Sequence, residues 1–456
     1  MPRSLAGETV GVLGLARSGL AAARLARSRG AGVYASDAGD SEAARQAAEQ
    51  VRGMGGDAET GGHDLGKLAA CGRIVLSPGI PPTAKVLKEE AIRGVPTIPE
   101  IEFAYEQLDC PVIAITGTNG KTTVTGLIEH LLRADGVDAV AGGNIGTALS
   151  ELAMREPQPA WAVVECSSFQ LAGIDKFTPR IGILTNLAPD HLDWYDGVED
   201  YYADKARLFT NASAQSRWIL NAEDERARTL IGDAPGTRLY FRVESAPASE
   251  EELGGWLSAG ELLIRTEPGR TERVGDAADL QILGPHNVAN ALAAALAARL
   301  AGASVQGICD GLRTFKAPEH RLEPVGEVDG VLWINDSKAT NIASTRVAVR
   351  GMTRPTVLLL GGKHKGEPYT ELLPDLARVR TIIAYGEAAP TIVADLEGRA
   401  PVERVDGPFE AVVDHARRIA RPGDAVLLSP ACSSFDMFRN YEERGRRFAQ
   451  LAREGA

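Results

Sequence analysis

The chain has 456 residues, with 49 Lys or Arg against 61 Asp or Glu and a formal charge of −12. That surplus of acid argues against general binding to nucleic acid or to anionic membranes, both of which need clustered cations to displace counterions. The length predicts about three domains, and the five cysteines, Cys71, Cys110, Cys166, Cys309 and Cys432, are widely spaced without a Cys-x-x-Cys or Cys/His cluster, which predicts a reducing, cytoplasmic setting and no zinc site.

The N-terminal stretch "VGVLGLARSGLAAARLARSRG" carries arginines inside its apolar run and reads as a strand, a turn and a helix, not as a targeting peptide. Alternation continues with "VYASD" before "EAARQAAEQVRGMG", then "RIVLSPG", then "VIAIT" before "TVTGLIEHLLRADG". It predicts an α/β protein of parallel sheets covered by helices, with breaks near residues 100 and 317. The expected parts are a Rossmann-like domain over 1–99, a central P-loop-like parallel sheet over 100–317 and a Rossmann-like third domain over 318–456. No stretch has the length and purity of a membrane span.

In the first part, "VLGLARSG" sets Gly14, Ala16 and Gly19 where a dinucleotide fingerprint has three glycines, and the methyl group of Ala16 obstructs a pyrophosphate. Asp37 ends the next strand where such folds hold a ribose hydroxyl, and Ser77 in "LSPGI" ends another. Taken alone, the turn is equally consistent with plain strand–helix packing and with a nucleotide site.

The central part carries "VIAITGTNGKTT". A strict phosphate loop has a glycine five positions before Gly120, where this chain has Ile115, so the loop is a shortened one. Gly117, Thr118, Asn119 and Gly120 offer backbone amides, Lys121 a charge for the β/γ phosphates, and Thr122 a hydroxyl for Mg²⁺, with Thr123 next on the helix whose positive end points the same way. Later strand ends supply Asn144, Glu165, Asn186, Asp190 and His191. A single Glu or His in such a place is ordinarily a solvated strand end or a structural ring; their recurrence at separate strand ends of one phosphate-binding sheet predicts a metal–phosphate centre.

The segments "TGTNGKTT", "GGNIG", "ECSSFQL", "TNLAPDHLDWY", "YYADKARLF", "GPHNVANALAA", "HRLE", "NDSKATN" and "LSPACSSFDMFRNYEERG" run in one order along nearly the whole chain. In that order they resemble the Mur ligases, the ATP-dependent amide-forming enzymes of peptidoglycan precursor synthesis. The compact first domain and the terminal segment are similar to those members that add D-glutamate to UDP-N-acetylmuramoyl-L-alanine. Two departures stand out: Cys166 where the family usually has Leu, and Tyr441 where it commonly has Phe.

The resemblance implies a carboxylated Lys205 that joins Thr122, Glu165 and His191 around Mg²⁺, two ions being expected, and it places Asn287 and Asn290 near adenine. It further implies Arg321 on the ATP phosphates and Asp336 and Lys338 closing over ribose and γ-phosphate. The nucleotide-linked substrate would meet Arg17, Ser18, Asp37, Ser77, Asn144 and Ser167, since a UDP is shorter than a dinucleotide and tolerates Ala16. The acceptor amino acid would meet Thr340, Lys365, Ser434, Phe435 and Tyr441, Lys363 being a neighbouring alternative to Lys365. Lys121, Asn144, His191, Lys205 and Lys338 are the expected catalytic groups, in a monomer without nucleic-acid or membrane partners. A folylpolyglutamate synthase would lack residues 1–99, and a nicotinamide oxidoreductase would leave "TGTNGKTT" unexplained. A non-catalytic nucleotide sensor would not need Lys205.

Overall fold

Residues 3–80, 84–190, 195, 197–282, 284–316 and 319–454 are described by the computed structural model. Near the N-terminus, β1 (Thr9–Leu13), β2 (Gly32–Asp37), β3 (Asp57–Thr60), β4 (Arg73–Leu76) and β5 (Thr97–Pro99) form a parallel sheet in the order β3-β2-β1-β4-β5. β1 is buried from Val10 to Leu13, as a strand covered on both faces must be. The helix Arg17–Ser28 packs against it through a turn too close for side chains: a Cβ on Gly19 would lie 1.8 Å from the Gly14 carbonyl oxygen. Gly14 itself has φ +87°, the left-handed region that glycine enters without strain.

The second sheet has nine strands: β6 (Val112–Thr116), β7 (Ala139–Gly143), β8 (Trp161–Glu165), β9 (Ile181–Leu184), β10 (Arg217–Asn221), β11 (Thr237–Arg242), β12 (Gly254–Ser258), β13 (Glu261–Glu267) and β14 (Arg270–Asp276). Their order is β14-β13-β12-β11-β10-β9-β6-β8-β7. The sequence predicts a parallel sheet here, and β7 through β12 are parallel, but β13 and β14 are not. The cause lies in two tight turns. Ala259 and Gly260 both take positive φ, and Pro268-Gly269 joins β13 to β14 with Gly269 at φ +73°, so the chain reverses within two residues and no helix can intervene.

The third sheet comprises β15 (Glu323–Val328), β16 (Val331–Asn335), β17 (Thr356–Gly361), β18 (Val379–Tyr385), β19 (Val402–Arg404) and β20 (Ala425–Leu428). Its order is β15-β16-β20-β17-β18-β19, with only β15 antiparallel. The chain divides into two compact units, Met1–Asp279 with Ala289–Leu312, and Leu280–Val288 with Arg313–Ala456. The first unit holds the first two sheets.

Those two sheets are joined through the short helix Glu100–Tyr105, whose two buried acids both accept backbone N–H groups. Glu102 accepts from Asp175, Lys176 and Phe177 at 3.1, 2.7 and 3.0 Å. Glu100 accepts from Ser150 at 2.7 Å through one oxygen, while the other is buried without a partner among the described residues. Burial pushes the Glu100 carboxyl up to about 7. Among the described residues no helix is long and apolar enough to cross a membrane.

Candidate active site

At the carboxyl end of β6 the chain enters a four-residue loop and then the helix Lys121–Ala134. Gly117 (φ +140°) and Gly120 (φ +85°) are obligatory here. A Cβ on Gly117 would lie 2.0 Å from Thr185 Oγ1, and one on Gly120 would lie 2.6 Å from Asn290 Oδ1. The loop is fastened to the end of β9: Thr118 N donates to Asn186 O (2.9 Å), Asn119 N to Asn186 Oδ1 (2.9 Å), and Thr185 Oγ1 to Asn119 O (2.6 Å). Lys121 Nζ folds back onto the loop, donating to Gly117 O at 2.9 Å and Thr118 O at 2.8 Å. Thr122 and Thr123 sit on the first turn of the helix, Thr123 buried.

Lys205 meets the same loop from the helix Val198–Ala206. It is almost wholly buried, donates to Gly117 O at 2.8 Å, and its Nζ lies 4.4 Å from the centre of the Tyr201 ring. Burial, and then the neighbouring Lys121 cation, hold its amine well below the ordinary lysine value. Tyr201 is itself buried, and its hydroxyl donates to Thr118 Oγ1 at 3.3 Å.

Glu165 ends β8 with a buried carboxylate. One oxygen accepts from Asn144 Nδ2 at 2.8 Å; the other is buried with no hydrogen-bond partner among the described residues. Asn144 N in turn donates to Glu165 O at 2.9 Å, so the two predicted residues form a matched pair across β7 and β8. His191 lies outside the described residues; among those described, no three His, Cys, Asp or Glu side chains cluster for a metal. An orphaned carboxylate oxygen is still a fitting ligand for a hard divalent cation, and Thr122, on the first turn of the helix, carries a hydroxyl of the same hard-oxygen type.

Ser167, expected to face the nucleotide-linked substrate, caps the helix Ser168–Ala172 in a reciprocal box with Gln170. Gln170 Oε1 accepts from Ser167 N at 2.9 Å, and among the described residues Gln170 Nε2 is buried without a partner. Gln170 lines a cleft with Ser77, Pro78 and Phe169, between the strand ends of the first sheet and this turn. The sequence contains it in "ECSSFQL", but a glutamine there reads as a cap and nothing more.

Around β1 and β2, Arg17 opens its helix in solvent while Ser18 and Ser77 are buried. Asp37 accepts from Leu15 N at 2.7 Å and from Gly39 N at 2.8 Å, so each of its oxygens braces a turn.

In the second unit, Asp336 is buried between Ser429 Oγ (2.8 Å) and Leu322 N (3.1 Å), and burial pushes its carboxyl up to about 7. Arg321 lies between His320 (φ +66°) and Leu322 (φ +44°), a strained segment held by that aspartate. Lys338 Nζ lies 4.9 Å from the centre of the Tyr441 ring, and Thr340 follows, half-buried. Lys363 and Lys365 are both exposed; Lys363 N donates to Ser433 O at 2.8 Å, tying that loop to the one carrying buried Ser434 and Phe435, which is 69% exposed.

Beneath these loops lies a residue not singled out from the sequence. Arg444 is wholly buried and donates to Ser337 Oγ and O (2.9 and 2.7 Å), to Cys432 O (3.2 Å) and to Ser433 O (3.4 Å). It thus fixes "NDSKATN" against "SPACSSF". Within the charged run "EERGRR" it reads as one more solvated helix residue.

Two family descriptions match this architecture: the Mur ligase middle domain over residues 115–298, and the Mur ligase, glutamate ligase domain over residues 320–432. A UDP-N-acetylmuramoylalanine–D-glutamate ligase from Desulfatibacillum aliphaticivorans is 39% identical, covering 98% of each chain. The chain belongs to the Mur ligase family. A second such ligase, from Anaeromyxobacter dehalogenans, is 41% identical to this Mur ligase over 99% of each chain. Solved structures share the fold at lower identity. A pseudomurein peptide ligase type C from Methanothermus fervidus superposes with a TM-score of 0.61 at 20% identity, covering 98% of this chain and 100% of that one. UDP-N-acetylmuramate-alanine ligase from Thermotoga maritima does so with a TM-score of 0.60 at 16% identity, with the same coverage.

Proposed function

We propose that this Mur ligase uses ATP to join D-glutamate to the alanyl carboxylate of UDP-N-acetylmuramoyl-L-alanine, in cytoplasmic peptidoglycan precursor synthesis. The observation that carries this reading is the near full-length likeness, at 39% and 41% identity, to ligases named for that reaction. An alanyl carboxylate oxygen attacks the γ-phosphorus of ATP, the bond to the bridging β–γ oxygen breaks, and ADP leaves an acyl phosphate. The glutamate amine then attacks the acyl carbon, the C–N bond forms, and inorganic phosphate departs as the amine loses its proton.

The chain contributes mainly position and charge, as phosphoryl transfer demands. The amides of Gly117 to Gly120 cradle phosphate oxygens, and Lys121 exchanges its two carbonyl acceptors for the β/γ phosphates. Asn287 and Asn290 serve the adenine, and Arg321, Asp336 and Lys338 the phosphates and ribose. Thr122, Glu165, His191 and a carboxylated Lys205 would hold Mg²⁺, as a pair of ions, which when bound neutralises charge on the transferring phosphoryl group. The burial of Lys205 supports the carbamate: its amine adds to CO₂, forming an N–C bond and releasing a proton, and the anionic group so made needs the cation that a buried ammonium beside Lys121 would repel.

Arg17, Ser18, Asp37, Ser77, Asn144 and Ser167 hold the nucleotide-linked substrate. Lys365, Ser434, Thr340, Phe435 and Tyr441 hold the acceptor, whose two carboxylates call for a fixed cation and hydroxyl donors. The five cysteines are free thiols, which fits a reducing compartment.

The test is phosphate release with UDP-N-acetylmuramoyl-L-alanine and ATP, across D-glutamate, L-glutamate, L-alanine, L-lysine and diaminopimelate, with the product weighed by mass spectrometry. A product one glutamyl residue heavier, formed with D-glutamate alone, is expected. Turnover with another acceptor would move the chain to a different ligation within the family.

A further inference from the structure

Among the described residues that brace the end of β2, His63 keeps a ring nitrogen without a hydrogen-bond partner. Asp37 is occupied on both oxygens by Leu15 N and Gly39 N. The loop after β3 is drawn over the same rim, because Gly62 N donates to Asp37 O at 3.2 Å and Gly61 N to Gly39 O at 3.1 Å. On that loop stands His63, whose Nδ1 lies 2.8 Å from Ser36 Oγ, a hydroxyl wholly buried at the end of β2. The next residue is fixed as well, Asp64 N donating to Tyr34 Oη at 2.9 Å. The imidazole is therefore held by one nitrogen and half-buried, and among the described residues Nε2 has no hydrogen-bond partner.

In an open parallel sheet a nucleotide lies across the carboxyl ends of the strands, its phosphates at the first strand–helix turn. Here that turn follows β1, and β2 and β3 come next in the sheet order. Phosphate at β1 and ribose at β2 put the base at β3, where His63 stands. We propose that His63 reads the uracil base of the nucleotide-linked substrate through Nε2. The inference rests on the function proposed above and adds the residue that selects the base.

Burial holds the ring below its ordinary value although the Asp37 and Glu59 carboxylates pull the other way, so it is neutral at pH 7. A neutral ring discriminates in either tautomer. With Ser36 donating to Nδ1, Nε2–H meets the uracil O4 acceptor; with Nδ1–H donating to Ser36, the Nε2 lone pair accepts from the imide N3–H. Cytosine presents the opposite polarity at both atoms, an amine at position 4 and a lone pair at N3.

Calorimetric titration of the full chain with UDP and with CDP tests this. Wild type is expected to prefer UDP. His63→Ala should weaken UDP binding roughly fivefold to tenfold, the loss of one hydrogen bond, and bring the UDP and CDP affinities close together, while the KM for D-glutamate and kcat at saturating nucleotide substrate stay within about twofold. Ser36→Ala, which releases the ring without removing it, should lose part of the same preference. An unchanged UDP affinity in His63→Ala, or a uniform loss that preserves the UDP-to-CDP ratio, overturns the assignment and leaves His63 a loop brace. The ligase reading fails separately, if wild type binds UDP yet forms no glutamyl product.

Discussion

Two acids end buried parallel strands on the carboxyl rims of neighbouring sheets, Asp37 on β2 and Glu165 on β8, and their surroundings differ in one respect. Both Asp37 oxygens accept backbone N–H groups of the fold itself. Glu165 accepts from the Asn144 amide with one oxygen and, among the described residues, leaves the other buried and unpartnered. In sequence both are a carboxylate at the close of an apolar run. An acid whose oxygens already accept from its own chain braces the fold whether or not it also meets a substrate; one with a buried acceptor left over has room for a cation or a proton, since an unsatisfied buried oxygen costs stability unless something arrives to meet it.

The largest expected effect comes from removing the acceptor to which the proposed function assigns a cation. Glu165→Gln keeps the shape and an acceptor for Asn144, so kcat should fall roughly a hundredfold to a thousandfold while the melting temperature holds or rises; a melting temperature lowered in step with activity would put Glu165 with Asp37 as a fold-builder. Lys205→Ala should abolish amide formation, and partial recovery on adding short carboxylic acids would separate a carbamate from a plain structural lysine.

Glu100 too has one partnered oxygen and, among the described residues, one orphaned oxygen, yet it lies at the junction between the sheets. Its carboxyl is raised from 4.5 to about 7, so the folded state favours the protonated form. The stability this group contributes is full below about pH 4.5 and is lost as pH rises through about 7, on the order of 3 kcal/mol in all. Denaturation of wild type and Glu100→Gln from pH 4.5 to 8 should therefore show the variant gaining on wild type as pH rises; parallel curves would remove the assignment.

Asp37→Ala leaves two turn N–H groups without acceptors and should cost about 2 kcal/mol of stability, with kcat at saturating substrates nearly unchanged. Smallest is Ser167→Ala, which deletes one half of a capping box, for about 1 kcal/mol. A loss of kcat in that variant larger than its loss of stability would assign Ser167 to substrate as well as to its helix.

The glycine loop after β6 is legible in sequence because its requirements are contiguous: glycines where φ is positive, a lysine and a hydroxyl on the first helical turn, all within "TGTNGKTT". Asn144 and Glu165 are legible as strand ends, but their pairing depends on β7 lying beside β8, which no local pattern states. Lys205 is invisible as anything but a helical lysine without the family resemblance, because its burial comes from a loop 88 residues away in the chain. Arg444 fails for the converse reason: a charged run predicts a solvated face, and only the fold shows that one member of the run points inward to four carbonyl and hydroxyl oxygens. The antiparallel strands β13 and β14 depart from the predicted alternation because Gly-containing turns set the reversal locally.

Given the phosphate-binding role proposed for Lys121, its fold-back onto the Gly117 and Thr118 carbonyls changes how nucleotide affinity should be understood. The lysine already has hydrogen-bond acceptors before ATP arrives, so binding is an exchange of acceptors and its free energy a difference between two satisfied states. The same carbonyls stand ready when ADP leaves, giving the ammonium somewhere to go as the phosphates withdraw. On that proposed role, a loop that keeps its own substitute for phosphate favours turnover over tight retention of the product.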